Sequence, residues 1–371
     1  MNIFSADDHA YMARALQLAA RGLYSTSPNP RVGCVIVKDG KIIGEGWHRK
    51  AGEPHAEIHA LMEAGMAALG STVYVTLEPC SHHGRTPPCA DALVGAGVAK
   101  VIAAAQDPNP NVSGNGIARL KAAGIAVECG LMEAQARELN EGFFKRMLLG
   151  HPLVRIKTAS SLDGRTALSS GESKWITGEA ARHDVHKLRA RSCAILTGIE
   201  TVLADNPQMN VRLDAARLSN ATETVRQPIK VIVDSSLRTP PDAAILQGAK
   251  TLIACAAPNA KKAAALEAAG AEILCLPGAD GRVDLNALLS RLAQKGVNEL
   301  MTEAGPRLNG ALIAAGLADE WVQYVAPCLL GSAARPLFEL DEPASMQERL
   351  NWKLADQRML GADLRLTWRK T

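Results

Sequence analysis

Runs that read as strand and runs that read as helix take turns through the first 150 residues, and this alternation restricts the fold more than any other property of the chain. The opening MNIFSADDHAYMARALQLAARG is acidic early and patterned as an amphipathic helix. VGCVIVKDGKIIGEGWH reads as a hairpin that turns at Lys38–Lys41. HAEIHALMEAGMAALG reads as a helix closed by Gly70, TVYVTLE as a short buried strand, and PPCADALVGAG as a helix opened by prolines and closed by glycine. The strand KVIAAAQ, the turn-rich DPNPNVSGNG, a helix, the strand IAVEC and a helix from Met132 to about Leu149 complete the series. Such alternation predicts a three-layer α/β/α sandwich.

LGHPLVRIKTA opens a second series after a Gly-His-Pro break, which places domains at 1–150 and 151–371. A length of 371 residues suits two domains better than one. Strands are predicted at LVRIKTA, CAILTG, IKVIVDS, TLIAC, AEILC, NELMTE and EWVQYVAP, with helices between them, and Asp214–Gln227 reads as a surface loop. A net charge of +3 and an aromatic content of 4% argue against a nucleic-acid binder. No uninterrupted apolar run is long enough to span a membrane and the opening is no secretory signal, so a cytoplasmic location is expected. There the eight cysteines read as thiols or metal ligands rather than a disulfide framework. Six of the nine histidines precede residue 84, which concentrates imidazole chemistry in the first half.

Three motifs in that half carry metal-binding side chains: His55-Ala56-Glu57, Pro79-Cys80 and Pro87-Pro88-Cys89. A catalytic zinc takes three protein ligands and keeps a fourth position open, and one imidazole with two thiolates meets that count. A helix starting at Cys89 favours its thiolate, and Pro79 suggests a similar start at Cys80. Glu57, two residues past His55, can take a proton from an activated water and return it to a leaving amine. This is the H-x-E … P-C-x-x-C logic of zinc deaminases, except that eight residues rather than two separate the cysteines. Other readings stand beside it. The cysteines can be metal-free core thiols; His82 or His83 can complete a four-ligand structural zinc, which leaves Glu57 without a task; His59 can face the same metal as His55. The pattern is not H-E-x-x-H, which argues against a metalloprotease. Glu78 reads as a structural hydrogen-bonding group. His82, His83 and Arg85 read either as a solvated loop or as contacts to a polar or phosphorylated substrate.

SPNPRVGCVIV, GEPHAEIHAL, VTLEPCSHHGRTPPCADAL and QDPNP in the first half, with KTASSLDGRTA, GESKWIT, LRARSCAILTGIETVLADNPQMNVR, VIVDS and EAGPRLNGALI in the second, closely resemble the bifunctional riboflavin-biosynthesis deaminase–reductases. The long cysteine spacing is part of that family's pattern. The resemblance covers nearly the whole chain, apart from 214–227, 256–295 and the C-terminal tail. It implies a cytidine-deaminase-like α/β/α domain followed by a dihydrofolate-reductase-like α/β domain. The first would remove the amine at C2 of a 5-phosphoribosyl-diaminopyrimidinone, with one zinc per chain on His55, Cys80 and Cys89 and Glu57 as proton shuttle. Asn29, His48, His82 and Arg85 would line its substrate pocket.

The second domain would reduce the ribosyl group of the deaminated product to ribityl with NADPH. No G-x-G-x-x-G follows a strand there, but ELMTEAGPRLNGAL reads as a strand, a Gly-Pro turn and a helix whose free N–H groups can hold a phosphate. The resemblance places nucleotide contacts at Ala159, Trp175, Thr201, Asp205, Ser235, Gly305, Pro306, Arg307, Leu308, Asn309, Gly310 and Ala311. Substrate contacts fall at Ser173, Arg189, Met209, Arg212 and Glu303. Asp163 reads as a turn former, and no general acid stands out. The implied partners are small phosphorylated pyrimidines and further copies of the chain, joined through the reductase domain, with neither nucleic acid nor membrane. Two competing functions remain: a zinc nucleoside or RNA deaminase with a non-catalytic C-terminal assembly domain, and a zinc-stabilised binding module. A salt-sensitive RNA complex would mark the former, and a zinc with four protein ligands the latter.

Overall fold

The computed structural model describes residues 4–81, 88–110, 112–173, 176–214, 218 and 225–371. The chain divides into two compact units, the first running to Gly150 and also taking in Asp214 and Val225, the second made of His151–Leu213 and Arg226–Thr371. The first comprises α1 (Ala6–Ala20), β1 (Gly33–Lys38), β2 (Lys41–Trp47), α2 (Ala56–Ala64), β3 (Thr72–Val75), α3 (Cys89–Gly95), β4 (Lys100–Ala103), α4 (Asn115–Ala122), β5 (Ala126–Cys129), α5 (Glu133–Leu139) and α6 (Glu141–Leu149). Its sheet has the order β2-β1-β3-β4-β5, with β1 antiparallel to both neighbours and β3, β4 and β5 parallel.

Side chains alternate across this sheet as strand geometry requires. Cys34, Ile36, Val73, Val75, Val101 and Ala103 pack against Ala56, Ala60, Leu93 and Leu120 of α2, α3 and α4. Val35, Val37, Tyr74 and Ile102 meet Met12, Ala15, Leu18, Ala136, Phe143 and Phe144 of α1, α5 and α6 on the other face. The three layers are therefore as predicted. So is the first hairpin: Asp39 and Gly40 both have positive φ, the two-residue turn that a right-twisted hairpin favours, and Lys38 pairs with Lys41.

Two helices differ from the sequence reading. The α2 helix stops at Ala64 because Gly65 turns to φ +53, and only a 3-10 turn continues toward Gly70. The single helix expected from Met132 to Leu149 is two, broken at Asn140. The Asn140 side chain accepts from Arg31 N at 2.7 Å and donates to Arg31 O at 2.8 Å, and this long-range pairing fixes it outside the helical range at φ −116.

The second unit comprises β6 (Leu153–Ser160), β7 (Arg165–Ala167), α7 (Glu179–Arg191), β8 (Ala194–Gly198), α8 (Ile199–Asp205), β9 (Ile229–Val233), β10 (Thr251–Cys255), α9 (Ala260–Ala268), β11 (Ala271–Cys275), α10 (Leu285–Gln294), β12 (Glu299–Thr302), α11 (Pro306–Ala314), β13 (Glu320–Val325), β14 (Arg335–Pro336), β15 (Trp352–Leu360) and β16 (Asp363–Lys370). Nine strands form one sheet in the order β11-β10-β9-β8-β12-β6-β13-β16-β15, while β7 and β14 pair separately. The strands from β11 to β13 in this order are parallel, and helices cover both faces. Ile195, Ile232, Ile253 and Met301 pack on α7, α8 and α9; Ile156, Leu196, Val231, Leu252 and Leu300 pack on α10 and α11.

All seven predicted strands of this half are present. The C-terminal tail, for which no strand was predicted, forms the β15–β16 hairpin. Of the loop read at Asp214–Gln227, residues 215–217 and 219–224 lie outside the described residues.

Candidate functional site

In the first unit, His55 caps α2 and Cys89 is the first residue of α3. His55 Nδ1 lies 3.2 Å from Cys89 Sγ and 3.5 Å from Cys80 Sγ. The three donor atoms fall within 4.8 Å of one another, and among the described residues they form the metal-competent group. His59 is not part of it; its Nε2 is buried without a partner. Cys80 does not open a helix as Pro79 suggested. It receives the Cys89 backbone N–H at 3.3 Å instead, so one helix start serves both thiols. Hydrogen bonds from Cys89 and His55 hold the Cys80 thiol below the ordinary thiol range.

Glu57 sits in the first turn of α2, 3% exposed, with Oε2 unpartnered. Burial pushes its carboxyl up to about 7 against the pull of His55. His48 Nδ1 meets Pro54 O at 3.2 Å and its Nε2 meets Asn29 Nδ2 at 3.1 Å, while its ring lies edge-on to His55. Since a carbonyl only accepts, Nδ1 carries the proton and Nε2 accepts from the amide. Burial holds His48 down to about 4, so it is neutral. His82 and Arg85, with the alternative ligand His83, lie outside the described residues.

Glu78 anchors this site from behind. Its two oxygens accept four backbone N–H groups, from Asp107, Gly114, Gly116 and Ile117, at 2.9–3.2 Å. The carboxylate thereby ties the start of α4 to the segment that carries Cys80. The approach is tight enough that a Cβ on Gly116 would stand 1.9 Å from Pro79 O.

In the second unit, β12 inserts between β8 and β6, two strands made earlier in the chain. In doubly wound sheets, ligands bind at the carboxyl ends of the strands where the order reverses. The sequence-predicted residues gather along that edge. Ala159 lies near the end of β6, Thr201 and Asp205 on α8 after β8, Ser235 just past β9, and Glu303 just past β12. Gly305 caps α11 and Pro306 is its first residue, which leaves the Arg307 and Leu308 N–H groups pointing out of the helix start. Asp205 and Arg212 are exposed, Ser173 is half-buried, Met209 is buried at φ +52, and Trp175 lies outside the described residues.

Asn309 and Gly310 face inward. The Asn309 amide bridges Thr302 Oγ1 and Ala304 O, and Gly310 lies where a Cβ would be 2.0 Å from Glu339 O. Arg189 and Glu303 meet each other in a two-pronged ion pair, Nε on Oε1 at 2.5 Å and Nη2 on Oε2 at 2.8 Å. Burial pushes the Glu303 carboxyl up, but Arg189 outweighs it and, with Lys157 and His186, holds it down to about 2. His186 Nδ1 accepts the Arg212 N–H at 3.3 Å and anchors that loop.

Lys157, which the sequence reading passed over, stands in this group. It is a half-buried ammonium on β6 beside Glu303 and Arg189, and burial lowers its pKa. A single lysine inside an apolar strand has no sequence signature that marks it.

A deaminase sandwich joined to a reductase-type doubly wound sheet is the class that these units define. Comparison with known proteins agrees. The family model of the cytidine and deoxycytidylate deaminase zinc-binding region matches residues 5–105, and that of the RibD C-terminal domain matches residues 152–366. Riboflavin biosynthesis protein RibD of Escherichia coli K12 is 50% identical over 96% of this chain and 98% of its own. A structure of Acinetobacter baumannii RibD superposes with a TM-score of 0.91 at 49% identity, over 98% of this chain and 99% of that one. A diaminohydroxyphosphoribosylaminopyrimidine deaminase/5-amino-6-(5-phosphoribosylamino)uracil reductase from Thermotoga maritima superposes at 0.83 with 30% identity, over 98% and 99% of the two chains. The chain belongs to the RibD family of riboflavin biosynthesis enzymes.

Proposed function

We propose that the first unit removes the C2 amine of 2,5-diamino-6-(5-phosphoribosylamino)pyrimidin-4(3H)-one and that the second reduces the ribosyl group of 5-amino-6-(5-phosphoribosylamino)uracil to ribityl with NADPH. The observation that carries the first reaction is the unpartnered Oε2 of buried Glu57 beside a three-donor group of one imidazole and two thiols. That donor set suits one zinc held by His55, Cys80 and Cys89, with a position left for water. Zinc, when bound, supplies water acidic enough to act as a nucleophile near neutral pH. With that metal bound, Glu57 would take a proton from water and hand it to the departing amine, a role that a carboxyl near pKa 7 can play in both directions. Neutral His48 accepts from the Asn29 amide and so fixes a side chain that the pyrimidine would meet on this reading.

For the second reaction, the start of α11 offers two free N–H groups to a cofactor phosphate. Arg189 holds the Glu303 carboxylate in place, and Lys157, easier to deprotonate because it is buried, is positioned to give a proton to the opening sugar ring. The test is mass spectrometry of the diaminopyrimidinone phosphate incubated with the enzyme. Loss of the amine without NADPH, then gain of two hydrogens once NADPH is added, is expected. Gain of hydrogens with the amine retained would reverse the order, and no reaction at all would return the chain to a binding role.

The chain also assembles, on this reading, through its second unit. The nine-residue β15 is an edge strand, exposed over most of its length, with Leu354 and Met359 on the surface. Long exposed edges of this kind pair with another chain, here a second copy. Light scattering should give a mass above that of one chain, and Gln357→Pro should lower it. A cytoplasmic location fits all eight cysteines being free thiols, and among the described residues no helix is long and apolar enough to cross a membrane.

A further inference from the structure

The strand order says where the adenosine end of a dinucleotide lies. Lys157, Ala159 and Glu303 stand at the ends of β6 and β12, and the open N–H groups of α11 follow β12. From there β8 and β9 continue the sheet away from β6. A cofactor with its reacting ring at β6 therefore crosses β12 and β8 and brings its adenosine over β9. Three strand spacings, about 14 Å, separate the two ends.

The chain leaves β9 through Asp234-Ser235-Ser236-Leu237-Arg238, and this turn is firmly set. Buried Asp234 accepts both the N–H and the hydroxyl of Thr239, at 2.7 and 2.8 Å. Leu237 takes φ +52, strained for a side chain of its size, and is only 2% exposed because it fills the core. With Leu237 turned in, its neighbours Ser236 and Arg238 are turned out. Arg238 pairs with Glu200 in the first turn of α8, and Lys262 reaches across from α9 to the Ser236 carbonyl at 3.1 Å. Two cations and two serines thus border the place where the adenosine ribose arrives.

We propose that Arg238, with the Ser235 hydroxyl and Lys262, binds the 2′-phosphate of the cofactor and so selects NADPH over NADH, an inference that rests on the reductase reading above. A phosphate carries more charge and more acceptor oxygens than the single carboxylate of Glu200, and it takes Arg238 over. NADH presents a hydroxyl at that point and leaves the Arg238–Glu200 pair as it is.

Titration calorimetry of the full chain with NADP+, NAD+ and 2′,5′-ADP tests this without turnover. Arg238→Ala should weaken NADP+ and 2′,5′-ADP by roughly 10- to 100-fold and leave NAD+ unchanged. Arg238→Lys should keep part of the preference, and Glu200→Gln, which frees the guanidinium, should tighten NADP+. Arg238 is half-exposed, and an unshifted melting temperature would show that the variants fold. An NADP+ to NAD+ affinity ratio unaltered in Arg238→Ala overturns this assignment and leaves the reductase reading standing. A wild-type chain that binds neither dinucleotide overturns that reading, and this inference with it.

Discussion

Buried Glu57 interacts with His55, Cys80 and Cys89 and keeps Oε2 unpartnered, and burial raises its carboxyl to about 7, where the proposed shuttle has to accept and release a proton. Glu57→Gln keeps the shape and removes the proton carrier. Ammonia release should fall by roughly 100- to 10,000-fold, while metal analysis still finds zinc. A variant that keeps its rate would show that Glu57 is not the shuttle. Glu303 is the opposite kind of carboxylate, held low by Arg189. Its pKa in the folded chain lies below the unfolded value, so the pair's contribution is complete above about 4.5 and fades as pH falls toward about 2. The stability gap between wild type and Glu303→Gln, measured by urea unfolding across that range, should therefore shrink as the solution is acidified. The grouping of His55, Cys80 and Cys89 could be read from the sequence because a metal-donor set needs few residue types at set places. Lys157 could not, since its meaning comes from Glu303 and Arg189, which only the fold brings near.

At the scale of elements, the deaminase site depends on how α4 is fastened to the Pro79–Cys80 segment. Glu78→Ala leaves four backbone N–H groups without their acceptor and should cost about 3 kcal/mol or more. Gly116→Ala attacks the same joint from the other side, by pushing on Pro79 O. Both variants should lose zinc on dialysis sooner than wild type, as read by metal content, and a variant that holds zinc as tightly would show that the joint does not position Cys80. The first strand of the β15–β16 hairpin is exposed along most of its length and carries little apolar pattern, but Leu364, Leu366 and Trp368 alternate with polar residues in the second and Gly361, with φ +67, marks the turn, so this hairpin was within reach of sequence reading. The break at Asn140 is made by Arg31, 109 residues away, which no local window contains. The 33–47 hairpin was legible because Asp39 and Gly40 suit its turn and one strand is buried on both faces.

For the whole molecule, the two chemistries occupy two units, each with its own sheet and its own buried clusters. Removing zinc with a chelator should therefore stop ammonia release and leave NADPH oxidation intact when the deaminated intermediate is supplied. Ammonia assay and reduced-nicotinamide absorbance on one chelated sample check this, and a parallel loss of both would place metal dependence in the second unit as well.

The place of β12 between β6 and β8 also governs how this protein is born. Its neighbours leave the ribosome first and wait with bare backbone edges, the surface most prone to pair with a stranger. The chain must make β9, β10 and β11 on the far side of β8 before it doubles back to close the gap, a late and entropically slow contact. The crevice thus exists only once β6, β8, β9, β10 and β11 have all been made, and a nascent chain stopped short of Glu299 lacks it.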